Sequence, residues 1–207
     1  MIESYIPKFL SCLYHERIKD VIPGQELIDM FHDNQINSAY EMLKACEYLR
    51  EHRILYSYID TDFSSNALYI GSWMGFKTKL LCDYYGYDMT ELELDPRCKD
   101  VSEIWNEENG NYKGHIQGDA NQMDDDFYKQ FNLIINPSCE HMSDDWYHKL
   151  QPGTFVLLQS NDFDIPQHTN IVKNSQEMVE KYKMKNIYQC TMQCTIYQRF
   201  TLAGIKT

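Results

Sequence analysis

The chain has 207 residues, with 19 Lys plus Arg against 31 Asp plus Glu, a net charge of −12. That length is one domain with room for a small appendage and buries about 70% of its unfolded surface. The charge argues against a protein whose main task is gripping duplex DNA or an anionic membrane, since both need a basic face. At 43% apolar and 14% aromatic residues the composition is globular, not disordered.

Residues 1 to about 52 read as helical. In the stretch SAYEMLKACEYLREH, Ala39, Met42, Leu43, Cys46 and Leu49 recur at the three- and four-residue spacing of an amphipathic helix. Ser38 is the expected cap, with Glu41 completing a capping box. Pro23-Gly24 breaks an earlier helix, which restarts over Gln25 to His32. The opening MIESYIPKFL lacks the apolar run of a signal peptide, and no run approaches 18 apolar residues. Seven scattered cysteines with no C-x-x-C pair suit a reducing compartment and carry no metal-ligand spacing. The expectation is a cytoplasmic protein that neither crosses a membrane nor holds a metal.

From Asn66 onward short apolar runs alternate with helix-like stretches. Strands are predicted at Ala67 to Ile70, Thr90 to Leu94, Tyr112 to Gln117, Phe131 to Asn136 and Thr154 to Gln159, then at Asn186 to Cys190 and Thr195 to Gly204. Asp124-Asp125-Asp126 reads as a solvated helix start favoured by the helix dipole. Strands alternating with helices imply parallel β-α-β units, with an antiparallel hairpin at one edge. The predicted architecture is α/β, a doubly wound seven-stranded sheet. Residues 1–60 form an N-terminal helical cap over its carboxyl edge, ahead of a domain over 61–207.

Four features carry chemistry. The run Leu68-Tyr69-Ile70-Gly71-Ser72-Trp73-Met74-Gly75 is a strand, a glycine turn and a helix start, where a ligand meets free N–H groups. About twenty residues on, Glu91-Leu92-Glu93-Leu94-Asp95-Pro96 puts an acid at the end of the second strand, the place where a carboxylate accepts from a ribose diol. Asp119 and Ala120 follow the third strand, where an Asp accepts from an adenine amine. Asn132 to Met142 runs an apolar strand into Asn136-Pro137-Ser138 at the switch point, where open α/β sheets bind ligands.

In this order these features resemble the class I S-adenosylmethionine-dependent methyltransferases over residues 66 to 204. Gly71 and Gly75 match the first and third glycines of that family's loop. Trp73 stands at the second glycine, and Tyr69 replaces the acidic residue. ELDP matches the second motif. Asn136-Pro137-Ser138-Cys139 matches half of the Asn-Pro-Pro-aromatic signature of amino methyltransferases. The stretches CEHM, LLQSND and RFTLAG look similar to small phage and bacterial proteins of this fold whose substrate is unassigned.

The resemblance implies strand order 3-2-1-4-5-7-6 with the last strand antiparallel, and S-adenosylmethionine as cofactor. It places Tyr69, Gly71, Ser72, Trp73, Gly75, Glu93, Asp95, Asp119, Ala120 and Asn136 at the cofactor. The implied reaction is methyl transfer to a small molecule or an exposed protein side chain. Alternatives of the same fold are aminocarboxypropyl transfer, cyclisation or cleavage of S-adenosylmethionine, or a non-catalytic binding module. Trp73 can face the sulfonium by a cation–π contact or block the usual pose. Methyl transfer needs alignment, and a base only where the nucleophile carries a proton. The catalytic candidates are Asn136, Glu140 and His141, with Ser160, Asn161, Asp162 and His168 behind them. The structural alternative has Glu140 capping the next helix and His141 packed on the surface. Cys139 reads as a small core residue, since no neighbour in sequence stabilises a thiolate.

Overall fold

The computed structural model describes residues 2–18, 21, 33–56 and 66–207. The break at Pro23-Gly24 and the restart over Gln25 to His32 lie outside those residues. A 3-10 turn at Ile2–Ser4 leads into α1 (Tyr5–Cys12), and α2 spans Asp33–Tyr56. Then strands and helices alternate: β1 (Asn66–Ile70), α3 (Phe76–Tyr85), β2 (Asp88–Glu93), α4 (Cys98–Asn106), β3 (Tyr112–Gln117), α5 (Asp125–Tyr128), β4 (Leu133–Asn136), α6 (Asp145–His148), β5 (Phe155–Asn161) and α7 (Ser175–Lys181). The chain closes with β6 (Met184–Gln193) and β7 (Gln198–Lys206).

All seven strands lie in one sheet of order β3-β2-β1-β4-β5-β7-β6. The pairs from β3 through β5 are parallel, and β7 is antiparallel to both β5 and β6. This is the order and orientation expected from the sequence. β7 begins later than the run from Thr195 suggests, because the hairpin turn occupies Cys194 to Tyr197, closed by the Cys194 N–H on the Tyr197 carbonyl at 2.9 Å.

Side-chain alternation divides the core in two. On β1, Ala67 and Tyr69 join one apolar cluster, while Leu68 and Ile70 join the other. On β5, Leu157 faces the first, and Val156 and Leu158 face the second. Strands covered on both faces read as unbroken apolar runs, which is why β1 and β4 were legible without a period-two pattern. The first cluster takes α1, α2, α3 and α4. Phe9 of α1 meets Trp105 edge-to-face at 5.0 Å and Phe76 at 5.4 Å. The second takes α5, α6 and α7, with Trp146 and Tyr182 fully buried. α5 starts as its acidic run predicts: Asp124 accepts from the Phe127 N–H at 2.7 Å.

The expected N-terminal helices are present, and α2 lies along the sheet face against β5, β6 and β7. Its start corrects one expectation. Ser38 is inside the helix, not its cap. The Ser38 hydroxyl donates to Gln159 Oε1 at 2.6 Å, and Gln159 Nε2 donates back to the Ser38 carbonyl at 3.1 Å and to Thr201 Oγ1 at 3.0 Å. A serine that packs into the sheet satisfies its hydroxyl there, so capping chemistry was not what selected it.

Candidate functional site

The loop after β1 turns through left-handed backbone. Gly71 sits at φ +66° and Gly75 at +72°, while Trp73 is the non-glycine residue there with positive φ, at +51°. The loop is pinned from beneath by hydrogen bonds. The Gly71 N–H donates to the Leu92 carbonyl at 2.9 Å. The Trp73 N–H donates to Glu93 Oε2 at 2.8 Å, and the Asp95 N–H to Glu93 Oε1 at 3.0 Å. Glu93 thus fastens two loops at the end of β2 and still has lone pairs for a ligand, since a carboxylate offers about four acceptor sites. A Cβ on Gly71 would press on Ser138 Cβ at 3.1 Å, so the loops after β1 and β4 touch.

A cavity of about 460 Å³ opens at these carboxyl ends, a volume typical of small-molecule sites. One end is walled by Gly71, Ser72, Trp73, Glu93, Asp119 and Ala120. Asp119 caps the 3-10 turn Ala120–Gln122 by accepting from the Asn121 N–H at 2.9 Å. The other end is walled by Gln35 and Ile36 of α2, by Lys77 and Arg199, and by the turn Pro137, Ser138, Glu140, His141 and Met142. Tyr69 also reaches the wall, its ring buried and its hydroxyl 3.9 Å from Met42 Sδ. Burial pushes that hydroxyl well above its ordinary pKa.

Three expected site residues stand outside the lining. Asp95 turns away and forms an ion pair with Arg97, whose guanidinium holds the carboxyl below its ordinary range. Gly75 lies under the loop, tight against Ser102, Asn106 and Glu91. Asn136 is fully buried and shapes the turn that follows. Its Oδ1 accepts from the Ser138 N–H at 2.9 Å, and its Nδ2 points at Met142 Sδ at 3.3 Å.

Glu140 does not cap a helix. Its side chain is buried, takes Asn161 Nδ2 at 2.5 Å on Oε1, and lies 3.9 Å from Arg199 Nη2. His141 is exposed beside it, its ring edge-on to His168 with centroids 4.6 Å apart. Cys139 is fully buried, and burial drives its thiol well above the ordinary range, as a core residue requires.

Lys77 and Arg199 were not singled out as site residues from sequence, yet both wall the cavity. Lys77 Nζ donates to Gln35 Oε1 at 3.2 Å and Ser38 Oγ at 3.3 Å. Enclosure lowers its ammonium to about 7, with Arg199 repelling it further and Glu140 opposing. A signal was available. Lys77 is the second residue of α3, and a cation in a helix's first turn opposes the dipole, so it is placed there against local preference. Glu93 and Asp119 are thus the acidic groups of one end of the lining, while Lys77 and Arg199 share the other with Glu140.

No protein-family model and no curated protein matches the sequence. Solved structures do match in fold. The Haemonchus contortus phosphoethanolamine N-methyltransferase 2 in complex with S-adenosyl-L-methionine superposes with TM-score 0.57 at 12% identity, over 91% of this chain and 61% of that one. The chain therefore spans about three fifths of that neighbour's length. Magnesium protoporphyrin IX methyltransferase from Synechocystis, with bound S-adenosylmethionine, gives 0.59 at 8% identity over 84% and 82%. A methyltransferase dependent on S-adenosylmethionine from Aquifex aeolicus gives 0.56 at 10% over 90% and 100%. At these identities the likeness is one of fold, and the chain has the Rossmann-like fold of the S-adenosylmethionine-dependent methyltransferases.

Proposed function

We propose that this protein is an S-adenosylmethionine-dependent methyltransferase acting on a small molecule or an exposed protein side chain. The observation that carries the reading is Glu93, anchored to the glycine loop by the Trp73 N–H and facing a cavity of about 460 Å³ at the sheet's carboxyl edge. The residues present suit that cofactor. A loop without Cβ at Gly71 admits it, a carboxylate meets its ribose, and cations face its carboxylate. Bound there, it supplies an electrophilic methyl group.

In this reading Glu93 accepts from the ribose hydroxyls while it holds the loop. Asp119 accepts from the adenine amine beside Ala120. Lys77 and Arg199 take the methionyl carboxylate, and the aromatic face of Trp73 stabilises the cationic centre by about 0.5–2 kcal/mol. Asn136 acts through the turn it shapes. That turn orients the acceptor, and Glu140 or His141 receives its proton. Positioning supplies most of the acceleration in such a site. The N-terminal helix α2 serves as a cap whose Gln35 and Ile36 close the Lys77–Arg199 end of the cavity.

The test is calorimetric binding of S-adenosylmethionine to the wild type and to Glu93→Ala, followed by product analysis. The wild type binds, and the variant loses about 1.5–3 kcal/mol, the range for hydrogen bonds to a charged group. S-adenosylhomocysteine is the expected product with an acceptor. Methylthioadenosine would instead establish aminocarboxypropyl transfer, cyclisation or cleavage. A wild type that does not bind, or a variant with unchanged affinity, refutes the reading.

A further inference from the structure

We infer that Glu140, His141 and His168 form a binding site for one first-row divalent transition-metal ion at the cavity mouth. The two histidines are 27 residues apart in the chain, so no sequence spacing announces the site. In the fold, one nitrogen from each imidazole and one oxygen from Glu140 lie within 4.8 Å of one another. An ion with ligands at about 2.0–2.2 Å draws such atoms to about 3–4 Å apart, a closure within reach of side-chain rotation.

The ring nitrogens are sorted for ligation. His141 Nδ1 faces the Gln167 carbonyl at 3.3 Å, and His168 Nδ1 faces the Phe163 carbonyl at 2.7 Å. A carbonyl oxygen only accepts, so in each neutral ring Nδ1 carries the hydrogen and Nε2 keeps its lone pair. A backbone acceptor fixing one ring nitrogen so that the other ligates is the arrangement of metal-bound histidines.

Glu140 supplies the independent observation. Its side chain is almost wholly buried, yet Oε2 has no hydrogen-bond partner among the described residues. A buried carboxylate oxygen without a partner is costly, and a cation would answer it. Oε1 is meanwhile held by Asn161 Nδ2, which sets the orientation of the carboxylate. The scaffold is tied across the two loops. The Asn170 N–H donates to the Glu140 carbonyl at 3.0 Å, and Asn170 Nδ2 donates to the Met142 carbonyl at 2.8 Å.

Two imidazoles and one carboxylate match the donor preference of zinc, iron(II), cobalt or manganese and leave coordination positions open. Glu140 and His141 also line the cavity, so the open positions face the acceptor end. Resting on the methyltransferase reading, with the ion bound Glu140 and His141 serve as ligands in place of the proton acceptors named above, and the favoured acceptor class is one that offers oxygen donors to the ion.

The test uses the full chain stripped by chelator and titrated with Co²⁺, without S-adenosylmethionine, so its outcome is independent of cofactor binding. One ion per chain is expected, with visible d–d absorption and no thiolate-to-cobalt band in the near ultraviolet. His168→Asn and His141→Asn each weaken binding at least about tenfold. His148→Asn, an exposed histidine outside the cluster, leaves it unchanged. Glu140→Gln is read only if it folds, and the two histidine variants decide the matter if it does not. Acetohydroxamate, a bidentate oxygen donor, should shift the bound cobalt spectrum. Undiminished binding in the double histidine variant, a thiolate band, or no binding at micromolar cobalt overturns the site. A bound ion blind to acetohydroxamate overturns its open positions.

Discussion

Gly75→Ala is the sharpest perturbation of the loop that shapes the cavity. Gly75 sits at φ +72°, which costs an L-residue about 1–2 kcal/mol. A Cβ there lands on Ser102 Oγ and comes within 2.8 Å of both Asn106 Nδ2 and Glu91 Oε1. None of these can withdraw. All three side chains are fully buried, and Glu91 Oε2 is bound by Ser102 Oγ, by His115 Nδ1 at 3.0 Å and by Tyr112 OH at 3.3 Å. Overpacking of this kind costs about 1–3 kcal/mol. The stiffer unfolded chain returns about 0.4–1 kcal/mol. The net loss is about 1–5 kcal/mol, a fall in Tm of about 2–20 °C for a domain of this size. Urea denaturation of Gly75→Ala reads it directly. Adding Ser102→Ala removes the worst overlap and should recover part of the loss, an interaction between neighbouring sites. If Gly75→Ala alone lies within about 0.5 kcal/mol of wild type, the packing beneath the loop is not as described.

Lys77→Met should change how stability depends on pH. The folded protein holds the Lys77 ammonium at about 7 against an ordinary 10.5. Between those values the unfolded chain keeps a proton that the folded protein lacks, so wild-type stability gains from this group as pH rises across that window. Below about pH 7 both states carry the charge and the full cost of enclosing it remains. The variant should therefore exceed wild type in Tm most at about pH 6 and lose that advantage by about pH 10, and a pH-independent difference would count against the enclosure. Gln159→Leu strips partners from Ser38 and Thr201 inside the core and should cost about 2–4 kcal/mol in urea denaturation, whereas Ser38→Ala should cost about 1–2 kcal/mol. Equal effects from the two would mean that the bonds to the Ser38 carbonyl and to Thr201 add nothing to the bridge from α2 to the sheet.

The central strands were legible because β1 and β4 are covered on both faces and spell unbroken apolar runs, whereas their order came from the resemblance of the motifs to the methyltransferase family. Glu93, Asp119 and Ala120 came out at the cavity because Glu93 ends β2, Asp119 and Ala120 follow just after β3, and the carboxyl ends of parallel strands converge. Asp95 and Asn136 lie equally close to strand ends and do not face in. One found a nearer partner in Arg97, the other in Ser138 and Met142. A motif states which residue stands at a turn, whereas the direction of its side chain is set by competition among local partners. Arg199 was hidden inside RFTLAG, where a lone cation in a strand looks like a solvent-facing position. Burial beside Glu140 and Pro137 was a matter of β7 lying against β5, a pairing that spans some fifty residues of chain.

That same pairing also covers one edge of the parallel part of the sheet. β6 precedes β7 in the chain yet sits outside it, so the two form a local hairpin that docks on β5 through its second strand. Until it docks, Phe155 to Leu158 present an open edge of four consecutive apolar residues with unpaired N–H and C=O groups. An open apolar edge is a template for other chains. The hairpin thus covers the edge of β5, and a change that weakens its docking should expose that edge and favour aggregation.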